Sequence, residues 1–205
     1  MLRSSLCITT LILSSPAFAG GVAPQPAPPP VIVPVPDEDW TEFYIGGQVD
    51  FVASTDISVG ALDLYDLEGH LAGVFAGYRY DFGDIVVGGE IDYMVGTLEA
   101  TNIAPNIFLV APDADVTLVR VGGEVGYDAG PALIYGTAGF AHINFAFGAT
   151  PDNESNGYFF GAGVDYRVAE NVTVGAELLQ HSFSDFGTAL EFDMTTFGVN
   201  VAFTF

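Results

Sequence analysis

From Trp40 to the last residue, hydrophobic and polar positions alternate with a period of two. No window in this stretch carries the sustained 3.6-residue apolar stripe of a helix, and the pattern predicts eight strands. The first, at about 41–54, sets Phe43, Ile45, Val49, Phe51 and Ala53 against Tyr44, Gln48 and Asp50. The second, about 69–80, sets Ala72, Val74, Ala76, Tyr78 and Tyr80 against Gly73, Phe75, Gly77 and Arg79. In the third, about 85–95, Ile85, Val87, Ile91, Tyr93 and Val95 oppose Glu90 and Asp92. In the fourth, about 116–127, Val119, Val121, Val125 and Tyr127 oppose Arg120, Gly122 and Glu124. The fifth, about 132–145, places Leu133, Tyr135, Ala141, Ile143 and Phe145 on the apolar face, away from Phe140, His142 and Asn144. The sixth, about 157–168, has Tyr158, Phe160, Val164, Tyr166 and Val168 opposite Gly161, Gly163, Asp165 and Arg167. The seventh, about 172–181, has Val172, Val174, Ala176 and Leu178 opposite Thr173, Glu177 and His181. The eighth, about 192–205, has Phe197, Val199, Val201, Phe203 and Phe205 opposite Thr196, Asn200 and Thr204.

Each segment is near the roughly 9–11 residues that a tilted strand needs to cross a bilayer. The connections alternate between short (81–84, 128–130, 169–171) and long (55–68, 96–115, 148–156, 182–191). Short periplasmic turns alternating with longer outer loops are the pattern of an outer-membrane barrel, and an even strand count returns both ends to the periplasmic side. A soluble β-sandwich also alternates. It would not keep one face nearly free of charge in every strand, nor put all three arginines beyond residue 40 on the parity opposite that face. The expected fold is all-β, an eight-stranded antiparallel transmembrane up-and-down β-barrel over residues 40–205, in the outer membrane of a Gram-negative bacterium.

Upstream the pattern changes. Residues 1–19 read as a secretory signal peptide: Arg3, a short apolar run from Leu6 to Leu13, then Ala17-Phe18-Ala19 before Gly20. The run is too short to span a membrane as a helix. The sole cysteine, Cys7, lies within it, so the mature chain is expected to have no disulfide and no thiol ligand. Residues 20–39, GGVAPQPAPPPVIVPVPDED, are rich enough in proline to stay extended as a periplasmic linker; a spacer is the plain reading, a segment that touches a partner or peptidoglycan the other.

The charge balance sharpens the picture. The chain carries 26 acids against 4 basic residues, none of them lysine, and a net charge of −22. Nucleic-acid binding is excluded, because phosphate contacts need clustered Lys and Arg. Hydrophobic residues nevertheless make up 50%. Acidic and hydrophobic together suit a barrel with an apolar wall against lipid and acids in its lumen and loops.

Several stretches resemble a known family. DWTEFYIGGQ (39–48) is similar to the D-W-[ST]-G-F-Y-[IV]-G-G motif of alphaproteobacterial outer-membrane surface antigens, relatives of the opacity-protein, OmpX and OmpA-type barrels. GVFAGYRYDFGDIVVGGEIDY (73–93), LIYGTAGFAH (133–142), GAGVDYRVAENVTVGAELLQHSFSDFG (161–187) and the terminal aromatic resemble the same family in order. Glu42 stands where the family usually has glycine, and the last strand lacks the usual basic residues. The resemblance implies an abundant envelope protein, structural or surface-interacting, with no shared enzymatic activity and no functional residues to carry over.

Candidate chemistry is sparse. Arg79, Arg120 and Arg167 share a parity with Asp50, Glu90, Asp92, Glu124, Asp165 and Glu177. Since an eight-stranded barrel is only wide enough to be filled by side chains, and buried charges must pair, these nine are expected to form a lumen salt-bridge network, with a gated ion path as the alternative. One of Glu90 and Asp92 should reach Arg120. Phe197, Val199, Val201, Phe203 and Phe205 form a terminal signal of the kind the barrel-assembly machinery would read by strand pairing. His142 and His181 invite a lipid A-modifying reading, since His181, Ser182, Ser184 and Glu177 offer base, hydroxyl and carboxylate. On a strand, however, His181 and Ser182 point to opposite faces.

Residues 152–157 mimic part of a calcium loop but put Gly163 where a glutamate is required. The acids Asp63, Asp66, Glu68, Asp113, Asp115, Asp152 and Glu154 read as solvated loop charge, with weak divalent binding as the alternative. No metal, cofactor or catalytic residue is assigned, and no phosphate-binding fingerprint occurs. The expected partners are outer-membrane lipids and lipopolysaccharide, the barrel-assembly machinery with periplasmic chaperones, and an external ligand of loops 55–68 and 96–115. A narrow passive channel for small solutes or ions is the alternative function.

Overall fold

The computed structural model describes residues 39–59, 62–101, 114–146, 153–184 and 190–205. Eight strands follow in order: β1 (Glu42–Val59), β2 (Leu62–Asp81), β3 (Ile85–Thr101), β4 (Ala114–Asp128), β5 (Ala132–Ala146), β6 (Asn153–Ala169), β7 (Val172–Phe183) and β8 (Leu190–Thr204). Each pairs antiparallel with its neighbours in sequence, and β8 returns to β1, closing the barrel. No sheet edge is left open, which satisfies the backbone in a medium without water.

Two of the short turns are built alike. In the β2–β3 turn the Asp81 carboxylate accepts the Gly83 amide at 2.7 Å, and in the β4–β5 turn Asp128 accepts the Gly130 amide at 2.7 Å. Gly83 and Gly130 have φ of 108° and 77°, a left-handed backbone that glycine enters without a Cβ clash.

The strands outrun the sequence-based boundaries at the other end. Positions 55–68 are not a long loop, since β1 continues to Val59 and β2 begins at Leu62. The expected loops 96–115, 148–156 and 182–191 shorten in the same way, because β3 reaches Thr101, β4 starts at Ala114, β6 at Asn153 and β8 at Leu190. Residues between these ends, apart from Ser184, lie outside those described.

The reason is a reversal of polarity partway up the wall. On β3, Ile85, Val87, Ile91, Tyr93 and Val95 face outward, and beyond them the outward positions become Thr97 and Glu99. The same change comes at His70 on β2, Thr117 on β4, His142 on β5, Asn156 on β6, Gln180 on β7 and Thr195 on β8. Above this collar the inward side turns apolar. Leu67, Leu98, Val116, Phe145, Phe183 and Phe192 pack into one buried cluster, which descends through Leu71, Met94, Leu118, Ile143, Phe159, Leu179 and Met194. Below it the wall is apolar and the interior charged. From Ile85 to Val95 the wall spans roughly 33 Å along the strand at about 3.3 Å per residue. At a tilt of about 40° that is a belt roughly 25 Å tall, the height of a hydrocarbon layer.

The reversal also corrects β5. Leu133, Tyr135, Ala141, Ile143 and Phe145 point into the barrel, whereas Ile134 and Phe140 point out, Phe140 with 79% of its surface exposed. His142 and Asn144 are polar because they lie on the collar, not because they face the lumen.

Candidate functional site: the filled lumen

Along the barrel axis the interior is a stack of layers, each built by inward positions of several strands. At the mouth beside the short turns sits Trp40, fully buried, packed on Val86, Leu133 and Tyr135. Its ring lies 4.5 Å from the Arg167 guanidinium carbon and 5.9 Å from that of Arg79. Arg167 Nη2 pairs with Glu42 at 3.2 Å, and both Arg167 terminal nitrogens donate to the Asp39 carbonyl. Outside the wall, Asp39 accepts the Thr41 amide at 2.7 Å. Hydrogen bonds from Thr41, with the nearby Arg167 charge, hold its carboxyl below the usual carboxylate range.

The next layer centres on Arg79. Its Nε and Nη2 engage both oxygens of Glu124, at 2.5 and 3.1 Å, and its Nη1 reaches Asp165 at 2.7 Å. The Tyr44 and Tyr135 rings flank the guanidinium at 4.5 and 5.3 Å. Gly77 and Gly163 make room, since a Cβ at either would run into the Tyr44 or Tyr135 ring. The three charged groups come from β2, β4 and β6, so the bridge crosses the lumen instead of running along one hairpin.

Arg120, 1% exposed, anchors the middle layer. The β3–β4 register sets Asp92 directly opposite it, and Arg120 Nη2 donates to Asp92 Oδ1 at 2.6 Å. Asp50 and Glu177 stand 3.6 and 4.0 Å from the guanidinium. Gln48 donates to the same Asp92 oxygen at 3.1 Å, and the Tyr135 hydroxyl donates to Glu177 at 2.8 Å. Of the two acids that the sequence left open for Arg120, the register selects Asp92. Glu90 makes no ion pair among the described residues and faces the Asp92, Glu177 and Glu124 carboxylates, with Arg79 as its nearby cation. Above this layer the apolar cluster begins, with the His181 ring fully buried between Phe159 at 5.9 Å and Phe183 at 6.3 Å.

The arrangement holds charges in place and offers little chemistry. His181 faces inward and Ser182 and Ser184 do not, so base and hydroxyl are separated by the wall. His142 lies outside, 2.9 Å from Asn156. Among the described residues no group of three His, Cys, Asp or Glu is placed to hold a metal. Of the candidate loop acids, Glu68, Asp115 and Glu154 are exposed on the outer wall. Asp63 and Asp66 belong to β2, and Asp113 and Asp152 lie outside the described residues. Phe197, Val199, Val201, Phe203 and Phe205 all face outward, and the Phe205 amide donates to the Phe43 carbonyl at 3.0 Å.

Sequence reasoning missed Trp40 and Glu42 as lumen residues. The signal was present in both: a lone tryptophan just ahead of the first strand, and a glutamate on the same parity as Tyr44, Gln48 and Asp50.

Comparison with known proteins agrees with this geometry. The model of the outer membrane protein β-barrel domain matches residues 5–205. A "22 kDa outer membrane protein" of Rhizobium leguminosarum bv. viciae is 30% identical over 162 residues, which cover 74% of this chain and 66% of that protein, so the match spans just under two thirds of the relative's length. Among solved structures, Ail, the attachment invasion locus protein of Yersinia pestis, superposes with a TM-score of 0.53 at 16% identity, covering 80% of this chain and 99% of Ail, a likeness of fold alone. Neisserial surface protein A matches with a TM-score of 0.46 at 18% identity over 78% of this chain and 96% of its own. A closed eight-stranded barrel with an apolar belt, matched to the family model along nearly its whole length, belongs to the outer membrane protein β-barrel domain family and resides in the Gram-negative outer membrane.

Proposed function

We propose that this chain is a structural and surface-interaction protein of the outer membrane whose lumen is sealed by its own side chains. The observation that carries the reading is the unbroken stack inside the barrel: Trp40, then Arg79 with Glu124 and Asp165, then Arg120 with Asp92, Asp50 and Glu177, then the apolar cluster. An ion crossing it would have to part buried ion pairs and then enter a dry apolar layer, each step costing several kcal/mol. In this reading the short turns and the mouth that holds Trp40 face the periplasm. Residues 1–19 are removed on export, and 20–39 remain there as a linker. The apolar belt contacts lipid and lipopolysaccharide, and the long connections meet an external ligand. The last strand is the segment that the barrel-assembly machinery reads, after delivery by periplasmic chaperones.

Planar-bilayer recording tests the seal. Purified barrels should pass no steady current, and ohmic conductance in the wild type would favour the channel reading instead. Lipid A mass spectra from a deletion strain should be unchanged. For orientation, a cysteine at Asp66 or Asp152 should react with an impermeant maleimide on intact cells, and one at Gly83 or Gly130 should not.

A further inference from the structure

Trp40 precedes β1, yet its partners come from around the barrel. Its amide donates to Asp81 Oδ2 at 3.2 Å, at the end of β2, and the Asp81 amide answers by donating to Thr41 Oγ1 at 3.0 Å. Its indole Nε1 donates to the Gly130 carbonyl at 3.2 Å, in the turn between β4 and β5. The ring packs on Val86 of β3 and on Leu133 and Tyr135 of β5, and stacks on Arg167 of β6. In an open sheet β5 and β6 lie four and five strands away from β1, far beyond the reach of one side chain. The groups around Trp40 meet only when the sheet has curved far enough to bring β5 and β6 across the lumen to the start of β1.

We propose that Trp40 is a latch: it seats after the barrel closes, locks the short-turn hairpins together at that mouth, and holds the closed state against reopening. A contact that forms after the transition state slows unfolding and leaves the folding rate alone. This separates a latch from a residue that helps the sheet to curl.

The chain has a single tryptophan, so the residue reports on itself. The full chain is to be folded into detergent micelles and followed by its fluorescence, by acrylamide quenching and by the gel-mobility shift of the closed barrel. In the wild type, protection of Trp40 from acrylamide should arise with or after the mobility shift; protection that precedes the shift would overturn the proposal. Trp40→Ala should unfold in urea roughly 100-fold faster, with its folding rate, read by mobility shift, changed less than about threefold. Folding slowed as much as unfolding is hastened, or an unchanged unfolding rate, would overturn it. Should Trp40→Ala fail to assemble, Trp40→Phe keeps an aromatic ring in the site while losing the Nε1–Gly130 bond and part of the indole's packing. It should show the same one-sided effect at smaller size, and a loss confined to the folding rate would count against the latch.

Discussion

On β5, the lower part puts Leu133 and Tyr135 inside and Ile134 and Phe140 outside, and the upper part puts Ile143 and Phe145 inside and His142 and Asn144 outside. Only the outward column changes chemistry there. On β3 both columns change: Asp92 inside and Tyr93 outside give way to Leu98 inside and Glu99 outside. The backbone and its pairing continue through the change without a break. One barrel therefore uses two opposite folding logics. In the belt, lipid gives apolar side chains no reason to turn inward, so the interior is held by close packing and its buried charges must stay paired, since stranding one is costly. Above the collar the outside suits water, and the hydrophobic effect holds the wall together as in a soluble protein.

Four substitutions sharpen or break that comparison. The largest effect is expected inside the belt. Arg120→Leu strands Asp92 and Asp50 and should destabilise the barrel by about 3–5 kcal/mol in urea unfolding. A double-mutant cycle should show strong coupling to Asp92→Asn and weak coupling to Glu90→Gln. Zero coupling to both acids would remove the ionic layer from the account. Phe183→Ala opens the upper apolar cluster and should cost about 3–4 kcal/mol. If that loss fell to the level of a surface substitution, the upper interior would not be a true core. Ile91→Arg puts a charge at mid-belt and should cost about 2–4 kcal/mol in liposomes. The smallest effect is expected for Thr97→Arg, three outward positions higher on the same strand, at about 0–1 kcal/mol. Equal penalties for the two arginines would erase the collar as a membrane boundary.

The same reversal explains what could be read from the sequence and what could not. Within the belt the rule that polar positions face the lumen holds, so the pairs Gln48/Val49, Asp92/Tyr93 and Arg120/Val121 were legible, and with them the strand count and the barrel. On β5 the columns below the collar are apolar apart from Thr137, so His142 and Asn144 were the strongest polar guides, and these obey the opposite rule. Glu99 looked like a loop residue for the same reason, although it lies in β3, and Asp63 and Asp66 lie in β2. In the lumen, parity gathered the nine charged residues on one face but could not pair them. Pairing depends on the stagger of β2 against β4 and β6, which is a property of the closed barrel. Trp40 and Glu42 lie ahead of the clear alternation, but they share the even parity of Tyr44, Gln48 and Asp50, so extending that parity back would have placed both in the lumen.

The pairing of β1 with β8 carries a consequence for timing. Every other pairing joins strands adjacent in the chain, and the β1–β8 seam joins the first strand to the last. The six hairpin pairings among β1 to β7 can form early, yet they yield only a curved ribbon with two bare edges, the kind of surface that recruits other chains. Such a ribbon gains little by waiting, because neither the ionic layers nor the apolar cluster is enclosed until Leu190–Thr204 arrives. Completion is therefore a single late event, and the protein has no stable half.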